Sequence, residues 1–403
     1  MTTVKKILYL VGSLDQGGTE RHLMQVLPRL ADLGFRPVVF TLTHKGRLAP
    51  VFEDLGIRVL EPWMARYLRH APSLLRWTLL VPLSTIRLCV TLIRYNPAIV
   101  HFFLPQSYML GSFCSFVTGN RIRVMSRRSL NLYQHKRPFL ASVERWLHTR
   151  MNAVLGNSRA VTKELMQEGV GVGRLGLLYN GIDLAPFMSL PSCHCVRQNI
   201  GVGEKVLLLV CTANLIPYKG HAALLCALGE IHLRLPEDWR CAMVGRDCGI
   251  GAQLRELAQR KGIAEHIVWL GERNDAIAII SAAEIGILSS HEEGFSNSLL
   301  EGMAAGLPMV VTAVGGNGEA VIDGESGIVV PSRDSSALGD AILTLVGNPA
   351  LRERMGIAGR QRVFENFSLD ACVNRYAGLY RALLLQSDCD VQKALNAVPV
   401  EIT

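Results

Sequence analysis

Short apolar runs alternate with longer helical patterns along most of the chain. The first apolar run covers residues 7–11, a Gly-Gly pair follows at 17–18, and a helical pattern extends over 19–33. Strand, turn and helix then repeat up to residue 157, and a second series runs over 206–330. Repeats of this kind predict parallel sheets with helices on both faces. We therefore expect an α/β protein with two doubly wound, Rossmann-like domains.

The alternation stops in the stretch LLYNGIDLAPFMSLPSCHCVRQNIG, which holds glycine, prolines and polar residues without periodicity. Such a stretch predicts a linker. The expected arrangement is an N-terminal domain over 1–185, a linker over 186–199 and a second domain over 200–367. A last helix is predicted at about 368–386, and we expect it to pack back onto the first domain.

Charge divides the chain into two halves. Residues 1–188 hold 24 Lys and Arg against 10 Asp and Glu, a net of +14, whereas residues 189–403 hold 18 against 24, a net of −6. A basic first half suits a phosphorylated substrate or an anionic membrane, although a scattered basic surface without a partner stays open. Aromatic residues are not interleaved with the basic ones in any recognisable module, so we expect no nucleic-acid partner.

The cysteines and the N-terminus indicate a cytoplasmic protein. Most of the ten cysteines stand singly in apolar runs, and Cys193-His194-Cys195 is the only cluster. We expect free thiols and no metal there. The apolar octet near the N-terminus continues into DQGGTERHL without a small-residue cleavage site, which favours a first strand over a signal peptide.

The segment 71–100 is amphipathic. Three arginines and Pro82 interrupt it. No window in the chain reaches ~18 uninterrupted apolar residues, the length of a membrane-crossing helix. The pattern fits a helix on a membrane surface, and it fits equally a core-packed helix that leads into a strand. We therefore expect a cytoplasmic protein that is at most peripheral on the inner face of the cell membrane.

Loops that follow strands are where a doubly wound domain binds ligands. The loop GSLDQGGTERHL contains Gly17 and Gly18, which allow either close approach of a ligand to the backbone or a simple tight turn. The loop CTANLIPYKGH brings Lys219 and Gly220 to the start of a helix. A lysine in this position can stabilise the negative charge of a departing diphosphate.

The stretch SSHEEGFSNSLLEGMAAGLP places two carboxylates around a predicted helix start. Glu293 precedes the N-cap residue types, so it can face a ligand at the helix tip, and Glu301 lies about one turn inside the helix. Glu301 can then accept hydrogen bonds from neighbouring ribose hydroxyls. Main-chain N–H groups for phosphate oxygens come from Phe295, Ser296, Asn297 and Ser298. A further loop, TAVGGNGEAV, offers Gly315 and Gly316 for close approach or for a structural turn.

Lys219-Gly220 and the motif EGFSNSLLE, from Glu293 to Glu301, resemble the retaining glycosyltransferases of family 4. The resemblance covers most of the chain, and LLYNGID resembles the interdomain signature of that family. It implies the GT-B fold, in which two Rossmann-like domains face a central cleft. The first domain binds the acceptor and the second binds a nucleotide-diphospho-sugar as co-substrate, with no metal and no other cofactor.

The resemblance also implies roles for single residues. Lys219 is expected to bind the donor diphosphate, Glu293 to contact the transferred sugar, and Glu301 to hold the ribose. Gly17 and Gly18 are expected to line the phosphate region.

Two positions depart from the family pattern. Asn214, counted among the donor-binding positions, stands where an arginine is usual, so a phosphate-binding cation is missing unless another arginine replaces it. The stretch VHFFLP keeps His101 as a candidate catalytic residue, but Phe103 replaces the second histidine, and a buried structural His101 fits equally. Asp388-Cys389-Asp390 matches the D-x-D of metal-dependent transferases, but it lies in the C-terminal tail and we attribute it to chance.

The sequence thus predicts a retaining glycosyltransferase that moves a sugar to a hydroxyl of a glycan or of a polyprenyl-diphosphate-linked acceptor, in cell-surface polysaccharide or glycolipid synthesis. A lipid-linked acceptor in an anionic leaflet suits the arginines of the basic half. These are Arg66, Arg69, Arg76, Arg121, Arg123, Arg127 and Arg128. A nucleotide-sugar epimerase, a phosphorylase and a non-catalytic nucleotide-sugar-binding subunit stay open as alternatives.

Overall fold

The computed structural model describes residues 5–396 apart from positions 16, 64, 66–72, 132–133, 135–137 and 387. The chain divides into two compact units. The first combines Met1–Gly181 with Leu369–Thr403, and the second is the continuous segment Ile182–Ser368. Each unit is built on one parallel sheet with helices between its strands, as the alternating pattern predicts.

The first unit contains a seven-stranded sheet in the order β3-β2-β1-β4-β5-β6-β7, in which every pairing is parallel. Its strands are β1 (Lys5–Val11), β2 (Phe35–Thr41), β3 (Arg58–Leu60), β4 (Ile99–Phe103), β5 (Ile122–Arg127), β6 (Ala153–Gly156) and β7 (Leu175–Leu177). The strand order reverses between β1 and β4. This reversal creates a topological switch point, where loops on either side leave room for a ligand.

Helices cover both faces of this sheet. They are α1 (Gly18–Asp32), α2 (Ala49–Asp54), α3 (Ser73–Tyr95), α4 (Pro105–Val117), α5 (Pro138–His148) and α6 (Arg159–Gln167). Alternate residues of β1 enter different cores, since successive side chains of a strand point to opposite faces. Ile7 and Tyr9 pack in the core that includes α1, whereas Leu8 and Leu10 pack in the core that includes α3 to α6.

Helix α3 carries the amphipathic segment noted in the sequence. By length and composition alone, its stretch Thr78–Tyr95 could cross a membrane, with a mean hydropathy of 1.3. However, Leu88 and Leu92 are buried in the core of the first unit, and the Ser84 hydroxyl donates a hydrogen bond of 2.8 Å to the Leu42 carbonyl. One side of α3 is therefore part of the fold.

The second unit contains a six-stranded parallel sheet in the order β10-β9-β8-β11-β12-β13. Its strands are β8 (Leu207–Thr212), β9 (Trp239–Val244), β10 (Ile267–Gly271), β11 (Ile285–Leu288), β12 (Met309–Thr312) and β13 (Gly327–Val330). The accompanying helices are α7 (Cys193–Asn199), α8 (His221–Ile231), α9 (Gly251–Arg260), α10 (Ala276–Ser281), α11 (Asn297–Ala304), α12 (Asn317–Ala320), α13 (Ser335–Val346) and α14 (Pro349–Asn366). The switch point of this sheet lies between β8 and β11.

The segment 186–199 differs from the unpatterned linker expected there. It contains α7, which begins after an N-cap residue, Ser192, whose hydroxyl accepts a hydrogen bond from the backbone of Cys195. The buried Arg197 side chain donates to the carbonyl of Ala282 and forms an ion pair with Glu284. These bonds make the segment part of the second unit, which begins at Ile182.

Two helices at the end of the chain, α15 (Leu369–Leu385) and α16 (Val391–Asn396), belong to the first unit. Four residues at helical spacing on one face of α15 are all buried in the core with α1. They are Tyr376, Leu379, Tyr380 and Leu383.

Candidate functional site

The switch point of the second unit brings together the loops that follow β8 and β11. The loop after β8 ends in a 3-10 turn, Pro217–Lys219, and Gly220, the N-cap residue of α8, has a left-handed conformation with φ 71°. A Cβ at Gly220 would overlap the carbonyl oxygen of Ser289 in the loop after β11. The Ser289 hydroxyl also donates to the Gly220 carbonyl over 3.1 Å. Glycine is therefore required at 220 for both the turn and the close approach of the two loops.

Lys219 and Glu293 form an ion pair across these loops. The Lys219 Nζ lies 2.5 Å from Glu293 Oε1, and the Ser290 hydroxyl donates to the same oxygen over 2.7 Å. The Lys219 side chain is 17% exposed and that of Glu293 is 8% exposed. A partly desolvated pair of this kind interacts more strongly than a surface pair, because the solvent screens it less.

The loop after β12 supports Glu293 from the other side. Gly315 has φ 52°, and a Cβ there would overlap the carbonyl oxygen of Glu293. The Gly316 N–H donates to the Gly294 carbonyl over 2.8 Å. The backbone at both glycines therefore packs against the loop that carries Glu293. This contact favours the structural turn as the interpretation of TAVGGNGEAV.

Helix α11 begins at Asn297, within the predicted cap region, and Ser296 is its N-cap residue. The Ser296 side chain accepts no cap hydrogen bond and instead lies 3.1 Å from the Ser298 hydroxyl. The Phe295 ring is buried against Phe367 at a centroid distance of 5.3 Å, so its side chain supports the turn. Glu301 lies one turn inside the helix and is half-buried.

Asn214 lies at the same edge, in the loop after β8. Its side-chain oxygen accepts a hydrogen bond of 3.1 Å from the backbone N–H of Arg246, which follows β9. His221 begins α8 and is buried, and burial lowers its pKa to about 4. The imidazole is therefore neutral near pH 7, so it adds no positive charge beside Lys219.

In the first unit, Gly17 and Gly18 lie at the start of α1, after the loop that follows β1. Gly17 is the N-cap residue in an extended conformation, and a Cβ there would overlap a carboxylate oxygen of Glu20. Burial raises the pKa of that Glu20 carboxyl. Because β1 borders the switch point of its sheet, the loop that leads to the two glycines starts there. The sequence predicts a helix start at this place, and α1 begins at Gly18.

The described residues contain one group of three metal-ligand side chains within 4.8 Å of one another, Glu144, His148 and Glu168 of the first unit. Arg127 already bridges the two carboxylates, at 2.9 Å from Glu144 and 2.5 Å from Glu168, and all four side chains are buried. The guanidinium supplies the positive charge that a cation would bring. Asp390 of the D-x-D stretch caps α16, because its carboxylate accepts the N–H of Lys393 at 2.9 Å.

Two family models match the chain on either side of the boundary between the units. Glycosyltransferase Family 4 matches residues 16–186, and Glycosyl transferases group 1 matches residues 196–362. The chain belongs to this glycosyltransferase family. These matches confirm the family membership that we inferred from Lys219-Gly220 and EGFSNSLLE.

Curated relatives of this glycosyltransferase align over part of the chain. The D-inositol 3-phosphate glycosyltransferase of Corynebacterium diphtheriae is 30% identical over 190 residues, which is 46% of this chain and 44% of that protein. A GDP-mannose-dependent alpha-(1-6)-phosphatidylinositol monomannoside mannosyltransferase of Mycolicibacterium smegmatis is 31% identical over 197 residues, 46% of this chain and 51% of that protein. The chain therefore spans about half the length of these relatives.

Solved structures match over nearly the whole glycosyltransferase chain. HepE of Anabaena, in complex with UDP and glucose, has a TM-score of 0.82 at 22% identity, covering 94% of this chain and all (100%) of that one. Sucrose-phosphate synthase of Thermosynechococcus elongatus has a TM-score of 0.76 at 21% identity, covering 94% and 99%. These likenesses confirm the predicted GT-B fold.

His101 of this glycosyltransferase lies inside β4 and is 0% exposed. Its Nδ1 is 2.7 Å from the Tyr380 hydroxyl, and its Nε2 is 2.8 Å from the Ser126 hydroxyl. Burial lowers the pKa of the ring well below its usual value. With both nitrogens engaged and the ring enclosed, the geometry favours the structural interpretation of His101 over the catalytic one.

Sequence reasoning did not single out two residues of the site in the second unit. Ser290 holds Glu293, and only the adjacent Ser-Ser pair after the strand could have indicated it. Arg246 follows β9 in the stretch VGRDCG, at the same edge of the sheet as Lys219. The available signal in the sequence was a charged residue that directly follows the glycine after a predicted strand.

Proposed function

We propose that this chain is a retaining glycosyltransferase that transfers a sugar from a nucleotide-diphospho-sugar to an acceptor hydroxyl. The observation that carries the proposal is the Lys219–Glu293 ion pair at the β8/β11 switch point, next to the start of α11. A cation and a helix N-terminus at one point suit a diphosphate. HepE, solved with UDP and glucose, has the same fold, which supports a nucleotide-sugar as donor.

In the proposed reaction, the bond between the anomeric carbon and the phosphate oxygen breaks, and the acceptor oxygen bonds to that carbon from the same face. The acceptor proton passes to the departing diphosphate, so charge and atoms balance. Lys219 stabilises the diphosphate as its negative charge develops. Glu293 orients the sugar and holds Lys219, and Glu301 accepts the ribose hydroxyls. No metal ion takes part in this scheme.

The proposed acceptor is a glycan or a sugar on a polyprenyl diphosphate, reached at the inner face of the cell membrane in cell-surface polysaccharide or glycolipid synthesis. The support lies in a surface of the first unit that we call the α3–α5 face. Its exposed apolar residues are Ile86, Ile93, Phe113, Val117, Phe139 and Trp146. Apolar side chains of this kind enter the boundary between headgroups and acyl chains.

Cations lie on the aromatic rings of the α3–α5 face. The Arg150 guanidinium is 3.6 Å from the ring centre of Trp146, and Arg123 is 4.5 Å from that of Phe116. Such a combination suits an anionic leaflet. Of the other arginines expected to meet the acceptor, Arg127 is held in the buried network, and Arg66 and Arg69 lie outside the described residues.

The proposal is tested by incubating the full chain with a panel of labelled nucleotide-sugars, with and without a membrane extract and with EDTA present. Transfer of label to lipid, undiminished by EDTA and with the anomeric configuration retained, is the expected result. Interconversion of the free nucleotide-sugar would make the chain an epimerase, and binding without turnover would make it a non-catalytic subunit. Either outcome overturns the proposal.

A further inference from the structure

The candidate donor site has too little positive charge for a diphosphate. The loops after β8 and β11 and the first turns of α11 contain Lys219 against three carboxylates, Glu292, Glu293 and Glu301. Lys219 is already neutralised by Glu293 at 2.5 Å. Since a diphosphate adds further negative charge to a half-buried site, binding requires another cation.

Three described arginines lie in loops that leave the same edge of the sheet: Arg246 after β9, Arg273 after β10 and Arg333 after β13. Arg273 is paired with Asp275, at 2.8 and 2.7 Å. Arg333 follows β13, which β12 separates from β11 in the sheet. Its charge nevertheless acts on His291 in the loop after β11, where burial and Arg333 together lower the pKa of the ring. Arg246 follows the strand that is directly beside β8, so it is the arginine nearest to the Lys219 loop in the order of the sheet.

The register of β8 and β9 places Arg246 next to Asn214. Thr212 pairs with Val244 at the end of the strands, and a further bridge pairs Leu215 with Asp247. The Arg246 N–H donates to the Asn214 side-chain oxygen at 3.1 Å, and the Arg246 carbonyl accepts from the N–H of Leu215 at 2.9 Å. Neighbouring strands are about 4.8 Å apart, so a side chain as long as arginine at position 246 is within reach of a ligand beside position 214.

The Arg246 guanidinium has no carboxylate partner among the described residues, although the residue is half-buried. The adjacent Asp247 is engaged elsewhere: its Oδ1 accepts the N–H groups of Gly249, Ile250 and Gly251 at 2.9 to 3.1 Å. These bonds hold Asp247 at the start of α9. A partly buried guanidinium without a counter-ion favours an anion that arrives from solution.

We propose that Arg246 binds the donor diphosphate and supplies the positive charge that position 214 does not. Its guanidinium suits two phosphate oxygens at once, whereas Lys219 acts as a point charge. Asn214 is then a positioning residue, which holds the backbone of Arg246 through its side-chain oxygen. The inference rests on the proposed function, because it concerns the donor of that reaction.

Binding of UDP, GDP and inorganic diphosphate to the full chain, measured by calorimetry, tests the assignment. We expect Arg246→Gln to raise the Kd for the bound nucleotide and for diphosphate about 10-fold or more, the usual scale for losing a charge-assisted contact. Arg246→Lys should recover part of the affinity. The double variant Asn214→Arg/Arg246→Gln places the positive charge after β8 instead of after β9. We expect it to recover most of the affinity for the nucleotide and for diphosphate.

Arg260→Gln is the matched control, because Arg260 forms an exposed ion pair with Glu256 on α9. It should leave Kd unchanged. Unchanged Kd in both Arg246→Gln and Arg246→Lys, while the unaltered chain binds, overturns the role of Arg246 and leaves the proposed function intact. If Arg333→Gln lowers the affinity and Arg246→Gln does not, Arg333 binds the diphosphate and the assignment to Arg246 is wrong. If the unaltered chain binds none of the three probes, the donor site and the role of Arg246 fail together.

Discussion

Lys219 and Glu293 neutralise each other before a donor arrives. Their 2.5 Å pair is mostly shielded from water, so removing one partner leaves an uncompensated charge in a partly buried position. A donor phosphate must therefore share Lys219 with Glu293. The pair keeps the lysine at the tip of its turn, and this pre-organisation lowers the cost of ordering it during catalysis.

We expect Lys219→Met to lower kcat/KM at least about 100-fold, because the cation that stabilises the departing diphosphate is lost. Glu293→Gln should lower kcat by a comparable factor and also reduce stability, since Lys219 then lacks its counter-charge. The double variant should be more stable than the sum of the single losses predicts. Steady-state kinetics and urea unfolding measure these effects, with the exposed Lys205→Met as control. Full activity in Lys219→Met would contradict the site.

The pairing of these two residues could not be predicted from the sequence. The motifs indicated Lys219 and Glu293 separately, as a diphosphate contact and a sugar contact. Their direct contact depends on β8 lying beside β11, and strands so far apart in the chain become neighbours only through the order of the whole sheet. Arg246 was missed for the same reason, because its importance comes from its neighbour in β8 rather than from its own surroundings in the sequence.

At the scale of elements, the structure confirms the core-packed interpretation of α3, and its membrane-surface interpretation stays a prediction. Leu88 and Leu92 lie in the core, and Ile86 and Ile93 are exposed on the other side. A helix with one packed face and one exposed apolar face can lie in the plane of a membrane surface while remaining part of its domain.

We expect Phe113→Ser/Phe139→Ser to weaken binding of the full chain to anionic vesicles about 10-fold, because each ring removes apolar area from the contact. Arg150→Glu should weaken binding further and reduce its dependence on salt. Sedimentation with vesicles of increasing anionic lipid content measures both. Leu233→Ser is the control, since Leu233 is an exposed apolar residue of the second unit. An equal loss in the control, or indifference to lipid charge, would refute the surface.

Long patterned elements were predicted well, and short ones were not. Helix α15 covers Leu369–Leu385, within one residue at each end of the predicted range of about 368–386. Strand β7 has three residues, too few for a period to appear, and no strand is predicted between residue 157 and the linker. Helix α7 is stabilised by the buried bonds of Arg197 to distant carbonyls, which local sequence does not reveal.

At the scale of the whole molecule, buried neutral histidines make stability depend on pH. Burial lowers the pKa of His22 and His101 well below the usual value, and lowers that of His221 to about 4. In the unfolded chain these rings bind protons near pH 6.5. The unfolded state therefore binds more protons than the folded state below that pH, and stability is lost as pH falls.

We expect the free energy of unfolding to fall between pH 7 and pH 5 by up to about 1.4 kcal/mol per pH unit for each such histidine in the unit that unfolds. Urea unfolding at several pH values measures the slope. His221→Leu should reduce the slope for the second unit, whereas the exposed His194→Gln should not. A stability that stays constant over this range would contradict the neutral, buried state of these rings.

The first unit is interrupted in sequence by the whole of the second. Its core needs α15, where Tyr380 bonds to Tyr9 and to His101. A ribosome therefore releases the complete second unit before the first unit has all its parts, although the first is begun earlier. During synthesis the seven-stranded sheet lacks the part of one core layer that α15 supplies, and the unit that is made first is finished last.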